Sequence, residues 1–280
     1  MLTSSFCFVR GLSEDQERTL WSRGLTTWDL ARQQPDEVAE FLGASRGAKL
    51  VEAVAEAQTA LGRGDSAWFK AHWPERETWR LWKGYCPPAQ AALVDIETTG
   101  LTPGYDQITV IGVADSARAR VFVAGRPLPG DDGIDRFPEA LRAYRLLVTF
   151  NGVNFDVPFM ERHFKESGLR FDLPHLDLVL VSRSMGLTGG LKDLEKQLGI
   201  QRGHDIKDLR GGDTRGLWAL WKSGDQAAYQ RLMTYCKADC ANLAQVADEL
   251  YRRRWEQIFT PHARTIDFAR IKGKQLSLFD

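Results

Sequence analysis

Asp95 and Glu97 close the apolar run Ala91-Ala92-Leu93-Val94, two carboxylates one residue apart just before Thr98-Thr99-Gly100-Leu101. In an extended strand alternate side chains share a face, so both acids point the same way and can hold one ion together. Like charges at that spacing cost free energy unless a cation, a proton or a hydrogen-bond donor compensates them. A third acid, Asp156, follows the β-rich stretch Leu146-Leu147-Val148-Thr149-Phe150 and the segment Asn151-Gly152-Val153-Asn154-Phe155, where a helix is expected to begin. A fourth, Asp239, lies one helical turn after Tyr235 in a segment whose apolar Leu232, Met233, Cys236, Cys240, Leu243 and Val246 fit a helix.

Taken singly, Asp156 reads better as a helix N-cap or first-turn acid and Asp239 as a solvated helix residue. Taken with the strand pair, the set has the composition of a site for hard divalent cations, which prefer oxygen ligands. Two such ions about 4 Å apart can activate a water on one side of a phosphodiester and neutralise the leaving oxygen on the other. Tyr235 then has the role of orienting or helping to deprotonate the attacking water.

The three motifs in this order, D-x-E-T-T-G at 95–100, N-x-x-x-F-D at 151–156 and Y-x-x-x-D at 235–239, resemble those of the DEDD 3′-to-5′ exonucleases over about Ser66 to Trp255. Thr234 stands where the histidine subtype carries His, so the chain resembles the tyrosine subtype, and its YprB-like branch above all. The resemblance implies an α/β, ribonuclease H-like mixed sheet flanked by helices. It also implies two Mg2+ or Mn2+ ions held by Asp95, Glu97, Asp156 and Asp239, with Tyr235 as a further catalytic residue. Thr98, Thr99, Gly100, Leu101, Asn151 and Phe155 are the matching substrate-binding positions. A DNA 3′-to-5′ exonuclease is the expected activity; an RNA 3′-to-5′ exonuclease and a catalytically silent, clamp-docked nucleic-acid-binding adaptor are the alternatives.

Around these motifs, 280 residues with 43% hydrophobic content and zero net charge allow a sizeable core in more than one domain. No apolar stretch reaches membrane-spanning length and no signal-peptide pattern is present, so a cytoplasmic protein without membrane contact is expected. Residues 1–64 read as a small all-α, helix-hairpin-helix-like domain: Ser13 heads a helix, Gly24-Leu25-Thr26-Thr27-Trp28 is a turn and cap, and Phe41 to Leu50 forms a second unit before a helix through Leu61. In such hairpins glycines let backbone amides reach a phosphate. The exonuclease-like domain is expected at 65–256, opening with an aromatic cluster of Trp68, Phe69, Trp73, Trp79 and Trp82 that is better read as packing than as a base-stacking surface. Gln107 to Asp115 and Arg120 to Ala124 fit antiparallel strands, His175 to Val179 a further strand, and Leu191 to Gly199 an amphipathic helix with a glycine stop; Leu217 to Trp221 is expected to open another helix. Asp177 reads as a supporting acid, His175 and His204 as structural histidines, and Cys236 and Cys240 as helix packing.

The tail 257–280 is basic and ends in Gln275-Leu276-Ser277-Leu278-Phe279. This pentapeptide resembles the segment by which bacterial replication and repair proteins bind the sliding clamp. Two large apolar anchors on a flexible leash are otherwise unfavourable at an exposed terminus. DNA and the sliding clamp are therefore the expected partners.

Overall fold

The computed structural model describes residues 1–201 and 211–259. They divide into two compact units, one of 1–63 with 252–259, the other of 64–251. His204 and the whole of Gln275 to Phe279 lie outside the described residues.

The first unit carries α1 (Glu14–Ser22), α2 (Trp28–Gln33), α3 (Pro35–Leu42) and α4 (Ala44–Arg63). Ser13 and Gln16 cap α1 reciprocally, at 3.2 and 3.1 Å, and the Thr27 hydroxyl accepts from Leu30 N at the start of α2. Trp21 and Trp28 are buried, and each indole nitrogen donates to a carbonyl near the N-terminus, Ser4 and Ser5 respectively, at 2.7 Å. The two hairpin glycines have separate duties here. Gly43, at φ 84°, makes the turn between α3 and α4. Gly47 is already inside α4, where its N–H bonds to Gly43 O and a Cβ would stand 2.8 Å from the Ala39 Cα. Its amide is used by the helix and its missing side chain serves helix–helix approach.

In the second unit α5 (Ser66–His72) is capped by Asp65, which accepts from Trp68 N. Phe69, Trp73 and Trp79 are buried beside a buried Arg80 whose guanidinium meets Glu77 at 2.7 Å, so this part of the aromatic cluster is packing. The sheet has six strands: β1 (Ala91–Thr98), β2 (Ile108–Ala114), β3 (Ala119–Val123), β4 (Asp132–Gly133), β5 (Leu146–Thr149) and β6 (His175–Asp177), in the order β4-β3-β2-β1-β5-β6. β1, β2 and β3 run antiparallel, whereas β5 is parallel to β1 and to β6. Between and after them come α6 (Phe137–Leu141), α7 (Asp156–His163), α8 (Leu178–Ser184), α9 (Leu191–Leu198), α10 (Gly211–Lys222) and α11 (Gln226–Ile258).

Both faces of the sheet are covered. Val94, Ile96 and Ile111 pack with Phe137, Phe159 and Met160 on one side; Val110, Val121 and Val123 pack with Leu217, Leu232 and Cys236 on the other. Two local expectations shift. Only His175–Asp177 is extended, because Asp177 accepts from Val179 N and starts α8. Leu217 lies in the middle of α10 rather than at its opening. No helix among the described residues is long and apolar enough to cross a membrane.

One contact sets how near α11 comes to the sheet. Gly112 of β2 faces Cys236 and Cys240, and a Cβ there would stand 2.7 and 2.5 Å from their sulfurs. Gly112→Ala is therefore expected to lower stability by about 1–3 kcal/mol as an overpacking change. Combining it with Cys236→Ala and Cys240→Ala should recover part of the loss. Thermal unfolding checks both; a melting temperature untouched by Gly112→Ala contradicts the close approach.

Candidate active site

β1 pairs with β5 only over Ala91–Leu93, so its last turns of backbone have no strand neighbour on that side. That opening, beyond the carboxyl ends of adjacent parallel strands, is where open α/β sheets place their ligands. A buried N–H left there would need an acceptor. Asp156 supplies it: its Oδ1 accepts from Ile96 N at 3.1 Å, between the two acids of β1. Asp95 lies opposite Gly112 and Glu97 opposite Val110, so both carboxylates rise on the face covered by α10 and α11.

A carboxylate oxygen of Asp95, one of Glu97 and the Cys236 sulfur all lie within 4.8 Å of one another. Burial pushes the Asp95 carboxyl well above the usual carboxylate range, and the charges of Asp239, Glu97 and Asp156 add to the shift. Glu97 is pushed up to about 8, again by burial first, against a hydrogen bond with Thr214 and with Asp239 and Asp156 reinforcing. Asp156 rises to about 7 through burial, opposed by backbone N–H groups. Tyr235 is buried and hydrogen-bonded to Asp239, and burial with the surrounding acids raises its phenol further. The structure thus brings all five candidate catalytic residues into one electrostatic neighbourhood.

The six candidate substrate positions are used differently. Thr98 donates to Gly100 O, and Thr99 Oγ1 both donates to Asp106 and accepts from Gln107 N, so these hydroxyls shape the loop after β1. Gly100 is required there, because a Cβ would fall 2.2 Å from Asp106 Oδ1. Leu101 is 73% exposed. Phe155 packs on Phe159 at 4.9 Å, and Asn151 adopts a left-handed turn at φ 66° that swings the chain from β5 into α7.

A family model described as the RNase_H superfamily matches residues 92–251, more than half of the chain and the span from β1 to α11. The chain belongs to the RNase_H superfamily. Among solved structures it is similar to the family B DNA polymerase from the hyperthermophilic archaeon Pyrobaculum calidifontis, with 17% identity over 65% of this chain and 28% of that chain at a TM-score of 0.46. It is also similar to a nuclease in its apo form, with 18% identity over 73% of this chain and 93% of that chain at a TM-score of 0.41. The chain spans little more than a quarter of the polymerase's length. None of the curated proteins matches it.

Within this RNase_H superfamily domain, four residues stand around the acids without a place in the motifs. Asp177, expected only as a supporting acid, accepts from the backbone N–H of Asn151, Val153 and Val179 at 2.8–3.0 Å and so fixes the turn that delivers Asp156. His175 bonds to Thr149 Oγ1 beside it, and burial pushes its imidazole down to about 4. Thr214 of α10 bonds to Glu97, and Lys192 of α9 sits 5.2 Å from the centre of the Tyr235 ring. Nothing in the sequence marks Thr214 or Lys192, since each meets the site only through helix packing. A start-of-helix acid after a short apolar run was the available signal for Asp177.

Glu97 and Asp156, with folded values of about 8 and 7, hold protons that the unfolded chain releases at ordinary carboxylate pH. The folded state therefore binds more protons in that window, so their contribution to metal-free stability is greatest at low pH and is lost as pH rises through about 7 to 8. Glu97→Gln removes one such group. The melting temperature of wild type minus that of the variant should fall between pH 5 and pH 8 in chelator; a flat difference contradicts the shift.

Proposed function

We propose that the chain is a metal-dependent 3′-to-5′ exonuclease acting on DNA. The observation that carries this reading is the placement of Asp156 against the backbone between Asp95 and Glu97, with Asp239 and Tyr235 facing them. The donor set fits hard divalent ions: the carboxylates are oxygen ligands, each held in surroundings that penalise its bare charge. Asp95, Glu97, Asp156 and Asp239 would hold magnesium or manganese, which when bound supplies Lewis-acid activation of water and neutralises the leaving oxygen. The Cys236 thiol, held up by its hydrogen bond with Cys240 and by burial, stays protonated and serves as wall.

Tyr235 keeps its proton at neutral pH because burial first, and then the acids, raise its phenol, so its part is donation: it positions the attacking water or a phosphate oxygen rather than abstracting a proton. Thr214 fixes the rotamer of Glu97, and Lys192 places a positive charge where a phosphate would add to the negative ones. Exonuclease direction and substrate are tested with 5′- and 3′-end-labelled single-stranded DNA, duplex DNA and RNA in each metal. Asp95→Ala and Asp239→Ala should abolish nucleotide release while leaving metal-free stability equal or higher. Tyr235→Phe should lower the maximal rate roughly 10²-fold. Digestion by Asp95→Ala equal to wild type would refute the assignment.

The same reading includes recruitment to a sliding clamp through Gln275 to Phe279, supported by the match of every position of the pentapeptide. Such short docking segments give on the order of micromolar affinity. Deleting 275–280 should abolish calorimetric binding to a bacterial sliding clamp and leave hydrolysis of free oligonucleotides intact; equal binding with and without the tail would sink it.

A further inference from the structure

The acids account for cleavage but not for what holds the strand behind the cut. Building on the exonuclease reading, we propose that the loop 99–107, the outer face of α7 and the turn after it form a groove for an unpaired nucleic-acid strand, with Tyr105 stacking on a base and Arg162 and Lys165 contacting phosphates.

Both walls grow directly out of the acid cluster. The loop follows Glu97 and Thr98 at the end of β1, and α7 begins at Asp156. Arg162 lies six residues along that helix, about 9 Å by the helical rise, so the groove leads away from the acids along the axis. Its lining joins Pro103, Gly104 and Tyr105 to Pro158, Arg162 and Lys165, with Glu161 its one acid. Arg162 and Lys165 are exposed and make no ion pair among the described residues. Gly104, at φ 93°, lets the loop lie against the Arg162 guanidinium, 3.5 Å from where a Cβ would stand.

The loop holds its shape. Asp106 accepts from Thr102 N at 2.9 Å and from Thr99 Oγ1, Gln107 N donates to Thr99 Oγ1, and the N–H groups of Tyr105 and Asp106 both donate to Thr102 O. A loop so tied presents Tyr105 at 91% exposure, beside Leu101 at 73%. Single exposed apolar residues are ordinary. An aromatic ring on an ordered loop, lining one groove with two cations and following the strand that carries Asp95 and Glu97, matches the stacking platform and electrostatic funnel of single-strand binders. A base within a duplex already has both faces stacked, so only an unpaired base can use the Tyr105 ring. The groove therefore selects an unpaired 3′ end over a blunt duplex.

The variants are Tyr105→Ala and the pair Arg162→Ala with Lys165→Ala, whose exposed positions should leave the melting temperature unmoved. Binding is read by fluorescence anisotropy of a labelled 12-nucleotide DNA in calcium or chelator, where no cleavage is needed. Cleavage is read on the same DNA and on the p-nitrophenyl ester of thymidine 5′-monophosphate, which is too small to reach the groove. Tyr105→Ala should weaken binding of the 12-mer about tenfold or more. It should lower by a similar factor the ratio of kcat/KM on the 12-mer to that on the ester. Quenching of a 2-aminopurine placed two or three nucleotides from the 3′ end should be lost with the ring. The double cation variant should flatten the slope of log affinity against log salt by about 1.4, two phosphates at 0.7 each. Unchanged 12-mer binding and salt slope in the variants, or an equal loss on ester and 12-mer, would overturn the groove. A wild-type protein that cleaves neither substrate would overturn the exonuclease reading instead, and the binding arm would still decide the groove.

Discussion

Carboxylates buried within reach of one another repel, and much of this domain can be understood as the scaffold that holds them there. Asp95, Glu97 and Asp156 are each raised first by burial and then by neighbouring charge, and Tyr235 is raised with them. Such a cluster draws stability from the fold rather than adding to it. Its cost falls when protons or cations arrive, which makes the same charge density the source of cation affinity.

The repulsion is resisted by specific backbone chemistry. Ile96 N–H, left without a strand partner where β5 ends, holds Asp156 in the gap. Asp177 gathers three N–H groups, which keeps Asn151 in its left-handed turn and aims α7 at the cluster. On the other face the missing side chain of Gly112 lets two cysteine sulfurs, and with them the turn that carries Tyr235 and Asp239, approach the sheet. Glu195 and Asn242, bonded at 3.1 Å, tie α9 to α11 and keep Lys192 over the phenol.

The surroundings follow a similar economy. The loop after β1 spends the hydroxyls of Thr98 and Thr99 and the carboxylate of Asp106 on its own shape, and what it offers outward is apolar: Leu101 and Tyr105. In the helical unit, the indole hydrogen bonds of Trp21 and Trp28 and the close approach at Gly47 are devices of a packed core. Gly47 is accordingly poor support for a phosphate-binding hairpin.

The sequence by itself determined the parts that depend on short-range periodicity. Alternation put Asp95 and Glu97 on one face of β1, a four-residue spacing put Tyr235 and Asp239 on one face of α11, and capping signals at Ser13 and a glycine stop at Gly199 marked helix ends. Boundaries controlled by a side chain reaching back to the backbone were less legible. Asp177 ends β6 and starts α8 because its carboxylate accepts Val179 N, an event that apolar pattern does not encode. What only the tertiary structure decided is the company the motifs keep: Thr214 on Glu97, Lys192 on Tyr235, Gly112 beneath the cysteines, and Tyr105 beside Arg162 in one groove. These pairs are separated by tens to more than a hundred residues. Their contact depends on helix docking and strand order, which no local spacing carries.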